Sequence, residues 1–566
     1  MFKRAAIVFL GWCGAATSGC ATNVAQTAEY QPAVTVDCGA PKSAVSLPAG
    51  GAFSGTDRVI DSPLVSTSYT ANAGPGILVA SRDAFRLYVN GDLLLESQAS
   101  LAPSFVGVSF MPGKNVVSVV AVGAERQPLI AARIDELEQP YVTDTSWKAS
   151  TAPGAGWMDP AFDDGSWVAA TDHGLVDNLS QCASKIAPLV GAGVHLIGAT
   201  DPSAHAVAFR YRFDIAPNGF GAAATGGRSA PVTLAKDIAA LRALVENDDT
   251  ERVVALPEGL LDFRPNGAEA LIQATCPTAC TTSTVTQYIV LPTGTDCSAN
   301  LVSIKRNERQ IHIRSNKSIV GLGRGTQLRG AWFDLVNSSN IVLRNLAWFD
   351  VNPALIEAGD GLSFDATTKV WVDHCTFKWV SDGFTDLSNS STQTTISWAL
   401  FDGENAAECR SRHLRSNELV DSEATYHHSF WRHVDGRAPF VHGATARAHL
   451  YNNVVLDAVD YAVGSGCHAQ VLLEGSYFEE VAAPSNIRDC VETPGLLGLI
   501  SATAGSNLYG TGTGTHKLDG TASQEPRDSV FIPPYTYRLE PAAEIRFRVQ
   551  ERAGAGSRWA LPLNKN

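Results

Sequence analysis

The sequence predicts an all-β protein, a parallel β-helix preceded by a β-sandwich. Three observations carry this. Between Glu357 and Asn453, short alternating apolar runs return roughly every two dozen residues, too short for a strand-helix-strand unit and right for one coil of a solenoid. From Asp37 to Ile215 there are many short strands, hairpin turns and no helical periodicity. A Gly- and Ala-rich join, Asn218 to Gly227, separates the two patterns. The expected organisation is therefore a leader over 1–20, a sandwich over 37–215 and a solenoid over 218–566.

Met1 to Cys20 reads as an export signal, with Lys3 and Arg4, an apolar run Ala5 to Trp12 and then small residues. Thr17-Ser18-Gly19-Cys20 resembles the cleavage box of bacterial lipoproteins, without its usual leucine. A lipid anchor at Cys20 and simple secretion are the two outcomes. Either way the expected location is outside the cytoplasm, as a secreted or outer-membrane/cell-surface lipoprotein of a bacterium. No later apolar run is long enough to span a bilayer.

Export permits disulfides. Of the 11 cysteines, nine lie beyond the leader, so at least one stays unpaired. Cys467 and Cys490 are close enough in sequence to pair, while Cys276, Cys280 and Cys297 are read as staples of one loop-like insertion, Pro265 to Ser303. Zinc at Cys276 and Cys280 lacks a second pair or a histidine. The formal net charge is −14, with no basic cluster, which argues against nucleic acid. A monomer is expected.

In the first domain, Gly76 to Ala80, Phe85 to Val89 and Val116 to Val120 are strands, and Asn90-Gly91-Asp92 is a hairpin turn. Trp147, Trp157 and Trp167 are either core residues or stacking faces for a sugar, and core is the expectation because tryptophan is largely buried on average. Beyond the join, Lys236 to Arg242 predicts a short helix capping the first coil. Coils then run from Ile311 to about Phe478, and Ala482-Ala483-Pro484 predicts their end.

Strand alternation sends Val370, Val372, Ile396 and Val454 inward and other residues outward onto a shallow groove suited to an extended polymer. Asp360, Asp382 and Asp386 project into that groove from successive coils. Converging carboxylates repel unless a hard cation holds them, and Ca2+ accepts such oxygen ligands with flexible geometry. The alternative is three solvated aspartates. The neighbours Asp373-His374 and His427-His428 are expected on opposite strand faces, unsuited to zinc.

The strings Val370-Trp371-Val372-Asp373-His374-Cys375, Arg437-Ala438-Pro439 and Asn452-Asn453, with Gly219-Phe220-Gly221, Asn316 to Gly323 and Pro534 to Tyr537, resemble the pectate lyase superfamily of right-handed parallel β-helices. The strings Tyr88 to Gly91, Pro112 to Asn115 and Phe162 to Trp167 resemble galactose-binding-like jelly rolls. The first resemblance implies Ca2+-dependent β-elimination on polygalacturonate, an acidic polysaccharide partner, calcium on Asp360, Asp382 and Asp386, and Arg437 as catalytic base. The guanidinium is normally protonated, so a carboxylate clamp is the alternative role.

Two departures qualify the resemblance. The family's substrate-gripping lysine corresponds to Asn405 or Ala406, and its second arginine to His442. His442 either contacts the substrate or fills space, and the loss of the two cations implies a different uronate pattern, another cation reaching in from Arg410, Arg412 or Arg415, or weakened activity. A fourth calcium ligand falls on Ala358, leaving Glu357 or water. Pectin lyase activity on methylated polymer without metal, and a non-catalytic surface glycan-binding protein, are the rival readings.

Overall fold

The computed structural model describes most of residues 65–556, leaving aside 67–75, 180–188, 265–273, 280–285, 291–309, 407–410 and a few shorter gaps. The expectations for Met1 to Cys20, for Cys280 and Cys297, for the side chains of Cys276 and Arg410, and for Glu357 and Ala358 fall outside the described residues.

Two antiparallel sheets occupy the N-terminal part, one ordered around Gly76–Ser81 and Ile130–Asp135, the other around Gly113–Val122 and Ala206–Ile215. Ile77 and Val79 from one and Leu87, Val119 and Phe209 from the other share a single core. The Ala84–Val89 and Asp92–Ser97 strands form the expected hairpin, because Asn90 and Gly91 both adopt positive φ. Trp147 and Trp157 are fully buried and Trp167 is buried, so none presents a stacking face to solvent. They pack the sandwich.

From Val232 onward the pairing becomes parallel, apart from two short antiparallel ladders, Ala274–Ala279 with Thr286–Val290 and His516–Leu518 with Thr521–Ser523. Three long sheets run side by side, the first from Val232–Leu234 to Leu499–Ala502, the second from Gly259–Asp262 to Leu508–Tyr509, the third from Gln310–His312 to His516–Leu518. Each coil contributes one strand to each sheet, and inward residues such as Ile341, Val370, Val372, Ile396 and Leu450 fill a continuous apolar core. The Ile238–Val245 helix caps the stack as expected, with Asp237 accepting from the Ala240 amide at 2.8 Å and Leu241 and Val245 in the core. The predicted end of the stack is corrected. Pro484 only precedes the Ser485–Ile487 strand, where the ladder needs its carbonyl alone, and one further coil follows.

The corner from the first to the second sheet is built the same way in six successive coils. Asn345, His374, Trp398, His428, Asn452 and Gly475 all have positive φ there. A left-handed residue breaks the alternation of side chains. This overturns two expectations. Val454 lies outside the core, against the helix Ala542–Arg552, while Val455 is inside. The neighbours His427 and His428 meet at 2.9 Å between their Nδ1 atoms, and Asp373 meets His374 at 2.8 Å.

Part of the outward face of the first sheet is covered. Val342 and Trp371 join the sandwich core, and Arg344 donates to the Phe110 carbonyl at 2.6 Å. The join lies across the same face, where the Gly221 amide donates to Thr395 Oγ1 at 2.9 Å. A side chain at Gly221 would collide with the Val370 carbonyl. Sandwich and coils form one compact body.

Candidate active site

The third sheet carries an outward ladder in register, Asp334, Ser363, Asp386, Glu418, Phe440, Gly464, Asn486 and Lys517. Asp360 and Asp382 sit in the turns that lead into the strands Leu362–Asp365 and Thr385–Ser388, each followed by a glycine. A Cβ on Gly383 would overlap the Asp386 carboxylate, so only glycine allows Asp382 and Asp386 to close up. One oxygen from each of Asp360, Asp382 and Asp386 lies within 4.8 Å of the others. The sequence-predicted carboxylates therefore converge.

Their electrostatics are those of a site short of positive charge. Burial, and then the charges of Asp360, Asp382 and Glu418, push the Asp386 carboxyl well above the usual range, with Arg437 opposing. Asp386 Oδ1 is buried and has no hydrogen-bond partner. Asp360 accepts from the Ser363 hydroxyl, and Arg415 Nη1 lies 3.5 Å from Asp382 Oδ1. A hard divalent cation suits this oxygen-only set, including the buried oxygen that nothing else satisfies.

Arg437 has φ 60° in the turn before the strand Phe440–His442. Its Nη1 is 2.9 Å from Glu418 Oε2, and its guanidinium lies 5.8 Å over the Phe440 ring. His442 Nε2 is 3.1 Å from the other Glu418 oxygen and the imidazole stacks on Phe440. Burial raises the Glu418 carboxyl, but the His442 hydrogen bond and the Arg437, His442 and Arg415 charges outweigh it and hold it below the usual value. Glu418 thus grips Arg437 and His442 at once.

Glu418 is the residue that sequence reasoning missed. Its signal was the outward position next to Asp386, hidden because that coil is longer: Thr385 and Asn417, paired in the same strands, are 32 residues apart, against 24 for Asp365 and Asn389. Among the described residues, the arginine of this loop that reaches the aspartates is Arg415, against Asp382. Arg412 is instead engaged by Asp457, a residue of the second sheet, through Nε at 3.2 Å. Asn405 is buried with its amide donating to the Pro353 carbonyl at 2.9 Å.

Cys467 and Cys490 form a disulfide, so the cluster they make with Glu492 offers no thiolates to a metal. Cys375 is a buried thiol whose pKa burial pushes up.

A protein-family model described as pectate lyase matches residues 268–558. A probable pectin lyase F-2 of Aspergillus terreus is 30% identical over 283 residues, 47% of this chain and 58% of that protein. A probable pectin lyase A of Aspergillus fumigatus is 30% identical over 283 residues, 47% of this chain and 72% of that protein. The chain thus spans little more than half the length of the first of these relatives. Among solved structures, a Bacillus sp. N165 pectate lyase in complex with trigalacturonate is 19% identical, covering 60% of this chain and 99% of that one with a TM-score of 0.42. Pectate lyase II of Xanthomonas campestris is 18% identical, covering 60% and 98% with a TM-score of 0.44.

Proposed function

The chain belongs to the pectate lyase family, and on that premise we propose that it is a Ca2+-dependent polysaccharide lyase cutting polygalacturonate by β-elimination. The observation that carries this reading is the buried, partnerless Asp386 oxygen among three converging carboxylates, with Arg437 acting on the same carboxyl. Asp360, Asp382 and Asp386 would hold the ion. Bound there, calcium supplies Lewis-acid polarisation of a substrate carboxylate and acidifies the neighbouring carbon-bound proton.

The chain's own residues account for the rest. In the elimination a proton leaves C5, the C4–O bond breaks, the leaving sugar's oxygen takes up a proton, and a C4–C5 double bond remains. Arg437, held by Glu418 and the Phe440 ring, would act on the C5 proton of the substrate. Its side chain is 28% exposed, enough to touch a polymer without swinging freely. Glu418 orients that guanidinium through the contact at 2.9 Å. Arg415 stands beside Asp382, where it would grip a uronate carboxylate.

Arg415 also favours a second reading. A guanidinium against Asp382 offsets part of the acidic cluster without metal, which suits a pectin lyase on methylated polymer, the activity named for the Aspergillus relatives. Ultraviolet absorbance of the unsaturated product separates the two. Calcium-dependent product from polygalacturonate, abolished by chelator and by Arg437→Ala, upholds the pectate lyase reading. Chelator-resistant product from methylated pectin alone replaces it with the second, and no product from either polymer overturns both. No described helix is long and apolar enough to cross a membrane, and we infer export in keeping with a polymer too large to enter a cell.

A further inference from the structure

Beyond Glu418 the groove changes character. Phe440 follows it in the ladder and presents a flat ring with two guanidinium groups over it, Arg437 at 5.8 Å and Arg488 at 5.6 Å from the centroid. Arg488 also lies 4.6 Å over the ring of Tyr461, which meets Phe440 edge-on. Burial pushes the Tyr461 hydroxyl up to about 12, with Arg488 and then Arg437 opposing, so both cations act on this one aromatic cluster. A side chain on Gly464 would meet the Phe440 ring at 2.5 Å and the Tyr461 ring at 2.7 Å, so glycine is what lets the two rings close.

The backbone of Arg488 is pinned while its head group stays accessible. Its amide donates to the Ser465 carbonyl at 2.8 Å, its carbonyl accepts from Gly498 at 3.1 Å, and Cys490 two residues on is tied to Cys467. The side chain is 40% exposed. Its carboxylate neighbour, Asp460, stands 3.6 Å away, beyond a hydrogen bond, and Asp460 takes Lys517 at 2.9 Å. Stacking on aromatic rings fixes the plane of a guanidinium and leaves its N–H fork for a carboxylate.

From this geometry we propose that Arg488 is a substrate-carboxylate clamp, binding a uronate residue further along the chain than the one at Arg437. The strand Ser485–Ile487, which ends beside it, lies two coils past Phe440–His442. The Arg488 side chain reaches back over the same Phe440 ring as Arg437, so the uronate it would bind is the neighbour of the one at Arg437. The proposal rests on the lyase reading. It assigns Arg488 to binding, with no part in the bond-breaking step.

The test is steady-state kinetics of the full chain on polygalacturonate with Arg488→Gln and Arg488→Lys, with a thermal melt of each. Arg488→Gln is expected to raise KM by about tenfold or more, the loss of one charge-assisted hydrogen bond, and to leave kcat within about twofold. Arg488→Lys is expected to recover part of the loss and keeps the test open if the Gln variant fails to fold. Unchanged KM in a folded variant, or a collapse of kcat at constant KM, overturns the clamp and leaves the lyase reading standing. If wild type yields no unsaturated product, the lyase reading fails. Retention on immobilised polygalacturonate then decides the clamp, weaker retention of Arg488→Gln upholding it and equal retention overturning it.

Discussion

The outward faces of the first and third sheets are built by the same coils, yet their charged ladders differ. On the first sheet Arg344, Asp373, Ser397, His427, Tyr451 and Glu474 stack in register. Asp373 is fully buried and receives Arg344 Nε at 2.9 Å, the Ser397 hydroxyl at 2.6 Å and His374 at 2.8 Å. Glu474 is met by His449, Tyr537 and Thr503. The sandwich and the join lie over part of this row; Asp373, Ser397 and His427 line a cavity of about 390 Å³ between them, and His427 Nε2 is buried without a hydrogen-bond partner. On the third sheet like charges are crowded together, and Asp386 keeps a buried oxygen without a partner. Buried polar groups are normally satisfied. A carboxylate whose partners are all protein groups, as Asp373 is, contributes to folding, whereas one left short of partners, as Asp386 is, marks where a ligand completes it.

The largest effect that would sharpen this contrast is on turnover. Arg437→Ala is expected to lower kcat by roughly 10²–10³-fold, as loss of a positioned charge at a developing anion does. Its melting temperature should stay close to wild type, since the side chain is partly exposed. A kcat near wild type would remove Arg437 from the chemistry.

Asp373→Ala should do the reverse. Removing one member of a buried, hydrogen-bonded charge cluster costs about 3–5 kcal/mol, readable by denaturant titration, while KM and kcat of the folded fraction stay unchanged. The pH dependence has a definite sign. Burial opposes the charge of Asp373, but the His374 and Arg344 charges and the hydrogen bonds overcome it, and its pKa falls below the ordinary 3.8. Its stabilisation is therefore complete above that value and drains away as pH falls below it. An acid-unfolding midpoint identical in wild type and Asp373→Asn would break the contrast from this side.

Asp386 runs the other way. A carboxyl held above its ordinary pKa weakens the fold as pH rises from the ordinary aspartate range through the raised value. Metal-free Asp386→Asn should accordingly melt higher than metal-free wild type at neutral pH. Calcium at about a hundredfold over its Kd should add about 2.7 kcal/mol to wild type and little to the variant. Equal calcium shifts in both would take Asp386 out of the ion site.

The smallest expected effect is that of Glu418→Gln. With the clamp neutral, kcat/KM should fall by roughly tenfold, a loss of about 1.4 kcal/mol, and the part of the acid-side decline that comes from protonating Glu418 should disappear. A uniform drop without any change of profile would mean that Glu418 only fills space.

Much of this was legible in the chain alone. The solenoid period, the capping helix and the Asp360, Asp382 and Asp386 cluster follow from local patterns, because each depends on residues within one or two coils. Cys467 and Cys490, 23 residues apart, pair as their spacing suggests. Val454 and the His427-His428 pair were misread, since nothing in their own strings reveals that the intervening corner residue is left-handed. The sequence by itself thus determined which residue types recur on which sheet and brought three carboxylates and one arginine to a groove. Only the tertiary structure decided that Glu418 grips Arg437, that Arg415 rather than Arg412 reaches the aspartates, and that Arg488 shares Phe440 with Arg437. The reason is register: contact across coils depends on the summed lengths of the turns between them, and one long loop shifts every later partner out of the simple repeat.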